Sequence, residues 1–359
     1  MGRRAISRNS QRPSLTSATL AWAVCLAIAP ANAQTPAATG MLPDLAPSAY
    51  PTEAENGEIA RRLLTPLTQV GLRAALARSG ANLKPQAFDA AAERLLIYAP
   101  SKAPAAGYGV LVFIPPWDRA ILPPDWAGVL DRAGVVFVTA AHSGNTASTL
   151  GRRIPLALTG LAEVRRRYQI DQTRVYIGGM SGGSRVAMRV ALGYPDVFTG
   201  AFLNAGSDTV GTADAPLPPR DLAATLQTRA RWVLMTGERD ELNANKDLET
   251  QRSLGGWCMT AVDVIPMSGQ GHELAGASGL AQTLALLAKP RHVDESKLAA
   301  CRARLDAQAS AEATLIQQAI ARGDRNGARD RLKRFDAHFG GWVADRSAAL
   351  DASLSAPAP

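Results

Sequence analysis

The segment Gly179-Met180-Ser181-Gly182-Gly183 decides how this chain is expected to fold. It follows Arg174-Val175-Tyr176-Ile177, whose β-branched and aromatic residues predict a buried strand, and it precedes good helix formers at 184–192. A G-x-S-x-G sequence between a strand and a helix is typical of the tight turn called a nucleophile elbow. The turn exposes the Ser181 hydroxyl at the carboxyl end of the strand, where the first amides of the helix favour negative charge.

Strands and helices alternate on both sides of the elbow. Strands are predicted at 95–98, 110–114, 135–138, 174–177, 200–203, 232–235 and 261–265. Helices are predicted at 126–133, 146–168 with a break near Pro155, 184–192, 221–229, 245–254 and 279–288. Continuous apolar strands that alternate with helices predict an α/β fold, in which a mostly parallel sheet is covered by helices on both faces. Such a sheet binds its ligands at the carboxyl ends of its strands.

The composition changes along the chain and suggests five segments. We expect a signal peptide at 1–33, a disordered lead-in at 34–52 that is rich in Pro, Ala and Ser, and an α/β domain with an N-terminal helical segment at 53–292. A helical hairpin is expected at 293–352 and a disordered tail at 353–359.

The hairpin would consist of helices at 295–321 and 326–350, with Gly323 between them and a break in the second helix at Gly340-Gly341. A single helix-turn-helix unit cannot bury its own apolar face. We therefore expect it to dock on the α/β body or on a partner chain.

The first 33 residues have the features of a secretory signal. Four arginines precede an apolar stretch at 15–29, and Ala31-Asn32-Ala33 forms an A-x-A cleavage site. Export to the periplasm or secretion is therefore predicted, with a membrane anchor as the alternative. Cleavage would leave 326 of the 359 residues and lower the net charge from +8 to +4, because the segment holds four arginines and no acid. So mild a charge does not predict nucleic-acid binding.

Two cysteines remain after cleavage, Cys258 and Cys301. An even number in an exported protein permits a disulfide, which would close a loop of about 44 residues and stabilise the fold by about 4 kcal/mol. Two buried free thiols are the alternative.

A serine hydroxyl needs a base to take its proton, and four histidines are present. His272 lies in a loop between the last predicted strand and the last helix of the sheet, where the base belongs in a Ser…Asp…His order. His292 and His338 lie in or near the helical tail. His142 follows the third buried strand, and we expect it to line a substrate pocket or to pack in its loop. Asn145 and Met180 are assigned to the same pocket.

The imidazole in turn needs a carboxylate to orient it. Asp240 follows the strand that precedes the histidine strand and is the expected acid. Glu238, Glu241 and Asp208 are alternatives, and each of the four also fits a solvated loop position.

An oxyanion formed by attack on a carbonyl needs backbone N–H donors. One is expected at Gly182, directly after the nucleophile. The second should follow the strand 110–114, but Pro115 and Pro116 carry no N–H, so Trp117 is the nearest donor. Trp117 also fits the wall of an acyl pocket.

Residues from about 95 to 289, some 55% of the chain, resemble α/β-hydrolase esterases of the polyhydroxybutyrate-depolymerase-like branch. The resemblance lies in residues 168–176, 178–187, 194–198, 236–240 and 141–145. It implies an eight-stranded sheet and a triad of Ser181, Asp240 and His272. The His-Gly pair that this branch usually carries in the oxyanion loop is missing here. The branch includes polyester, feruloyl and acetyl esterases, so the resemblance leaves the substrate open.

The sequence therefore predicts an exported serine esterase that cleaves a small-molecule or polymeric ester through an acyl-enzyme on Ser181. A peptidase of the same fold is one alternative. The other is a non-catalytic binding protein that acts through its C-terminal helices, which also offer a surface for a protein partner or for self-association. Histidines and acids do not cluster at metal-ligand spacing, and triad chemistry requires no cofactor, so neither is expected.

Overall fold

A computed structural model of the chain describes residues 38–86 and 88–356. The segment predicted to be a signal peptide lies outside these residues, as does part of the predicted lead-in, at 34–37. No helix in the described ranges has both the length and the apolar character needed to cross a bilayer.

The core of the fold is one eight-stranded sheet with the order β1-β2-β4-β3-β5-β6-β7-β8. β1 and β2 are antiparallel to their neighbours, and every pairing from β4 through β8 is parallel. The strands are β1 Gly40–Leu45, β2 Leu95–Ala99, β3 Tyr108–Ile114, β4 Val135–Ala140, β5 Ile170–Met180, β6 Gly200–Asn204, β7 Arg231–Gly237 and β8 Val262–Met267.

Helices cover both faces of this sheet, which makes it an α/β-hydrolase fold as predicted. α3 and α8 contribute to one hydrophobic cluster, and α4, α5 and α6 contribute to a larger cluster that the C-terminal helices extend. The central strands β3 and β4 are buried along their whole length, because their apolar runs face helices on both sides. The helices are α1 Asn56–Leu63, α2 Pro66–Ser79, α3 Ala127–Ala133, α4 Ile154–Arg167, α5 Gly182–Gly193, α6 Arg220–Arg229, α7 Glu241–Gly256, α8 Ala277–Leu287, α9 Glu295–Ala321, α10 Arg325–Phe339 and α11 Ala344–Ser355.

Two predictions about local order were wrong in the described residues. The lead-in expected to be disordered contains β1, an edge strand that pairs with β2. The tail expected to be disordered from 353 continues α11 to Ser355. In both cases long-range packing gives a polar or proline-containing segment its structure, which local composition does not report.

The break predicted near Pro155 is present, because a π-helical turn ends and α4 begins next to this residue. Pro155 lies in the first turn of α4, where its missing N–H leaves no hydrogen bond unmade. A single π-helical turn, Thr149–Arg153, leads directly into α4. Arg153 is the last residue of this turn and is buried.

The C-terminal helices pack on the body of the α/β-hydrolase domain. The carboxylate of Asp336 on α10 accepts hydrogen bonds from the N–H of Leu67 at the start of α2. A disulfide joins Cys258 to Cys301 on α9, with the two Cα atoms 6.0 Å apart. The predicted break at Gly340-Gly341 is present, because the backbone of Leu217 and Pro218 approaches too closely for a side chain there. The helical unit thus buries its apolar face against its own chain.

Candidate active site

Ser181 lies at the sharp turn between β5 and α5, with backbone angles φ 53° and ψ −123°. Its N–H donates to the carbonyl of Asn204 at the end of β6, over 2.8 Å. A Cβ at Gly179 would meet the backbone of Gly183, and a Cβ at Gly183 would overlap the carbonyl of Ile114. The two glycines of the motif are therefore required by close backbone contact, as the elbow prediction assumed.

The structure brings Ser181, His272 and Asp240 together at the carboxyl edge of the sheet. The Nε2 atom of His272 lies 2.9 Å from the Oγ of Ser181, and its Nδ1 atom lies 2.6 Å from the Oδ2 of Asp240. An ionised carboxylate only accepts hydrogen bonds, so the proton lies on Nδ1 and the lone pair of Nε2 faces the serine hydroxyl. This arrangement allows the imidazole to take a proton from Ser181.

Asp240 has a second structural role as the N-cap of α7. Its carboxylate also accepts from the side-chain amide of Asn243, at 3.0 and 2.9 Å. Burial alone would raise the pKa of the Asp240 carboxyl, but hydrogen bonds from His272 and Asn243 outweigh burial and hold that pKa below its ordinary value. The carboxylate therefore stays ionised, which the orienting role requires.

The alternative acids have other partners. Asp208 pairs with Arg185 at 2.5 Å. Glu238 accepts from the hydroxyl of Ser268 and from the N–H of Gly269, each at 3.0 Å, and so braces the turn before His272. Glu241 is exposed in the first turn of α7. Of these carboxylates, the one that contacts the imidazole is that of Asp240.

The orientation of Asn243 is itself fixed by Arg185, one turn after the nucleophile on α5. The Nη2 of Arg185 donates to the Oδ1 of Asn243 at 3.1 Å. Because a guanidinium has no acceptor, the oxygen of the amide must face Arg185 and its NH₂ group must face Asp240. Neither Arg185 nor Asn243 was predicted from the sequence to belong to the site. A helix start at Asp240 would have placed Asn243 at the third helical position, close to the capping side chain.

A third missed residue, Asn204, anchors the loop that carries His272. Its side-chain amide donates to the carbonyls of Met235 and Glu273, and its Oδ1 accepts from the N–H of Ala275 at 2.7 Å. Asn204 is fully buried, so these bonds fix the histidine loop to the ends of β6 and β7.

The backbone N–H groups of Gly182 and Trp117 have no acceptor in the described part of the chain. The carbonyl of Pro116 accepts from the N–H of Asn145 at 3.0 Å, which fixes the plane of the peptide that carries the Trp117 N–H. The side chain of Asn145 lies directly against Gly182. The turns after β3 and β4 therefore meet the elbow.

The other residues assigned to the pocket differ in their surroundings. His142 is exposed in the turn after β4, in a left-handed conformation with φ 52°. Its imidazole makes no hydrogen bond or ion pair within residues 38–86 and 88–356. Met180 packs in the hydrophobic cluster beneath the site with an exposed fraction of 9%. Its assignment to a substrate pocket stays a prediction.

The described residues contain no group of three or more His, Cys, Asp or Glu side chains placed to hold a metal ion. The residues brought together at the site are those of acid–base and nucleophilic chemistry.

No protein-family profile matches this chain, and no curated protein sequence matches it. Solved structures with a similar fold each align with about half of the chain. A ferulic acid esterase is 17% identical with a TM-score of 0.42, covering 54% of this chain and 91% of its own. S-formylglutathione hydrolase FrmB from Staphylococcus aureus is 12% identical with a TM-score of 0.43, covering 55% and 93%. Acetyl xylan esterase from Aspergillus awamori is 15% identical with a TM-score of 0.40, covering 54% and 94%. Identities and TM-scores this low do not indicate an activity for this chain.

Replacing Asn243 by leucine should raise the pKa of the Asp240 carboxyl, because both amide N–H bonds to it are lost. A carboxyl with a lowered folded-state pKa adds stability above its unfolded pKa and loses it as the pH falls through the folded value. The variant should therefore be less stable than the wild type at neutral pH, with the difference shrinking in acid. Carbon-13 NMR titration of Asp240 and urea unfolding across pH measure the two effects.

Asn245→Leu is the matched control, because Asn245 is exposed two residues further along α7. It should leave the Asp240 titration unchanged. An equal titration midpoint in Asn243→Leu and Asn245→Leu would show that the amide of Asn243 does not tune Asp240.

Proposed function

We propose that this chain is a serine hydrolase that cleaves carboxylic esters through an acyl-enzyme on Ser181. The observation that carries the proposal is the continuous Ser181–His272–Asp240 contact, with 2.9 Å and 2.6 Å between the paired atoms. A nucleophile, a base and an orienting acid in this order and geometry define triad chemistry on this fold.

In the first half of the reaction, Ser181 Oγ attacks the ester carbonyl carbon as its proton passes to Nε2 of His272. The carbonyl oxygen becomes an oxyanion, and we assign its stabilisation to the free N–H groups of Gly182 and Trp117. The intermediate then expels the alcohol, which takes the proton from His272. Asp240 remains ionised throughout and stabilises the imidazolium.

In the second half, water attacks the acyl-enzyme carbonyl and gives its proton to His272. The second tetrahedral intermediate releases the carboxylic acid, and Ser181 recovers its proton from the imidazole. Each role is played by a side chain or backbone group of this chain, so triad chemistry needs no metal or cofactor here.

The exposure of the site supports a substrate ester that belongs to a large molecule as well as one that belongs to a small molecule. The side chain of His272 is 45% exposed although its partner Asp240 is 10% exposed. An open imidazole above a buried carboxylate lets an ester at the surface of a polymer reach Ser181. This exposure and the quoted motifs support the polyhydroxybutyrate-depolymerase-like branch as the finer proposal.

A fluorophosphonate probe should label the wild-type protein on Ser181, and Ser181→Ala should remain unlabelled, because the reagent reacts with an activated serine hydroxyl. The untreated wild-type protein should hydrolyse p-nitrophenyl esters and leave aminoacyl anilides largely intact, and the labelled protein should cleave neither. Mass spectrometry locates the label, and absorbance assays measure both hydrolyses.

Ser278→Ala is the control, since Ser278 is an exposed serine at the start of α8, a few residues after His272. It should keep its label and its activity. Faster cleavage of anilides than of esters would favour a peptidase. A folded wild-type protein that resists labelling and cleaves neither the esters nor the anilides would favour a non-catalytic binding role.

The Trp117 backbone is tested by removing its N–H. Trp117→Pro removes the donor and the indole, whereas Trp117→Ala removes only the indole. The proline variant should lose about 10²–10³ in kcat relative to the alanine variant, the usual effect of one oxyanion donor. Circular dichroism checks that both variants fold, and equal kcat values would assign the second donor elsewhere.

We also propose that the protein is exported. The Cys258–Cys301 disulfide is the kind of bond that persists in oxidising compartments, to which a signal at 1–33 would direct the chain. Protein recovered from the periplasm or medium of a secreting bacterial host should begin at Gln34, and unreduced digests should contain the Cys258 and Cys301 peptides as one linked species. An intact N-terminus on membrane-bound protein would instead indicate an anchor.

A further inference from the structure

Arg153 is a buried arginine without a carboxylate partner in the described part of the chain. It ends the π-helical turn before α4, and its exposed fraction is 3%. Burial lowers the pKa of its guanidinium to about 10, an effect that the nearby charge of Asp118 partly opposes. Burying a cation without a counter-ion costs free energy, so the fold retains here a group that stability alone does not favour.

The guanidinium of Arg153 donates to three backbone carbonyls from three separate segments. Nε donates to Ser143 at 2.8 Å, Nη2 to Pro115 at 2.9 Å and Nη1 to Gly182 at 3.4 Å. Ser143 follows β4, Pro115 follows β3, and Gly182 is the first residue of α5. These segments are distant in sequence, and Arg153 joins all of them.

The same three segments carry the groups assigned above to the oxyanion. Gly182 supplies one free N–H. Pro115 is two residues before Trp117, which supplies the other, and Ser143 is two residues before Asn145, whose N–H fixes the Pro116 carbonyl. The positive charge of Arg153 therefore lies directly behind the backbone that faces the substrate carbonyl.

The neighbouring residue, Arg152, has ordinary surroundings. Its guanidinium pairs with Glu93 at 2.6 and 2.9 Å and donates to the carbonyl of His142. Its charge is compensated, and it supports the turn after β4 without contacting β3 or the elbow. Arg152 is adjacent to Arg153 in the sequence and therefore serves as its control.

We propose that Arg153 is the positioning residue of the oxyanion site, holding the turns after β3 and β4 against the elbow and placing a buried positive charge, which no ion pair neutralises, behind the two N–H donors. The inference rests on the proposed function. As negative charge develops on the carbonyl oxygen, a fixed cation in a water-poor environment stabilises the transition state more than the neutral ester. Loss of Arg153 should therefore lower kcat and leave KM nearly unchanged.

The test compares Arg153→Met, Arg153→Lys and the control Arg152→Met. For each, kcat and KM are measured with p-nitrophenyl acetate, and Ki with phenylboronic acid, whose boron accepts the Ser181 oxygen and becomes a tetrahedral anion. Arg153→Met should lower kcat about 10²-fold and should raise Ki in parallel. This fall in kcat is at the lower end of the range seen when one oxyanion donor is removed. Arg153→Lys keeps the charge but cannot serve three carbonyls, so its losses should be about tenfold. Arg152→Met removes the partner of the buried Glu93 and so controls for lost stability. Because Arg152 contacts neither the turn after β3 nor the elbow, kcat, KM and Ki should each change less than about threefold.

A folded Arg153→Met variant with kcat and Ki like those of Arg152→Met would overturn the proposal. So would a fall in unfolding temperature without parallel changes in kcat and Ki, because that would indicate a purely structural arginine. If the methionine variant does not fold, the lysine variant decides: unchanged kcat and Ki overturn the proposal. A wild-type protein that neither cleaves the ester nor binds the boronic acid would instead contradict the proposed function.

Discussion

The left-handed backbone at Ser181 is the constraint on which the rest of the site depends. A non-glycine residue held in such a conformation costs about 1–3 kcal/mol and persists only where its surroundings enforce it. Here the enforcement comes from the ends of the two strands that flank β5. The N–H of Ser181 is held by Asn204 on β6, and Gly183 packs against the carbonyl of Ile114 on β3. The same contacts that strain Ser181 bring the turn after β3 close to its hydroxyl.

The direction of α5 follows from this turn, and it has a consequence for the acid of the triad. Because α5 starts at Gly182, Arg185 lies one turn above the nucleophile, where it reaches Asp208 and Asn243. A donor-only guanidinium leaves one orientation of the amide of Asn243, and that orientation points its NH₂ group at Asp240. The elbow thus positions its own serine and, through one arginine and one asparagine, the carboxylate that lies across the imidazole from it.

Local sequence patterns were sufficient to predict most of the fold. Apolar strands such as 110–114 and the G-x-S-x-G turn can be recognised from a few consecutive residues. α9 begins and ends where its sequence predicted. β1 was missed because a short edge strand that contains a proline acquires its structure only from pairing with β2.

The site was predictable to the same extent and for the same reason. Ser181, Asp240 and His272 each follow a recognisable strand, so the order of the elements placed them at one edge. Arg153, Arg185 and Asn204 act through contacts with residues from 10 to 71 positions away, and Asn243 acts through a helix start that was predicted four residues late. No pattern within a short window marks a residue of this kind.

Under the proposed mechanism, the charges around Ser181 suit the separation of charge that ester cleavage requires. Proton transfer makes His272 positive next to the ionised Asp240, which lies 2.6 Å from its Nδ1 atom. Attack makes the substrate oxygen negative on the side of the backbone that Arg153 holds from behind. Each fixed charge is buried or nearly so, and each lies behind the group whose charge of opposite sign develops during the step. Because both are already in place before the reaction, little reorganisation is needed when the new charges form, and the field along the path of the proton favours the transition state over the neutral reactants.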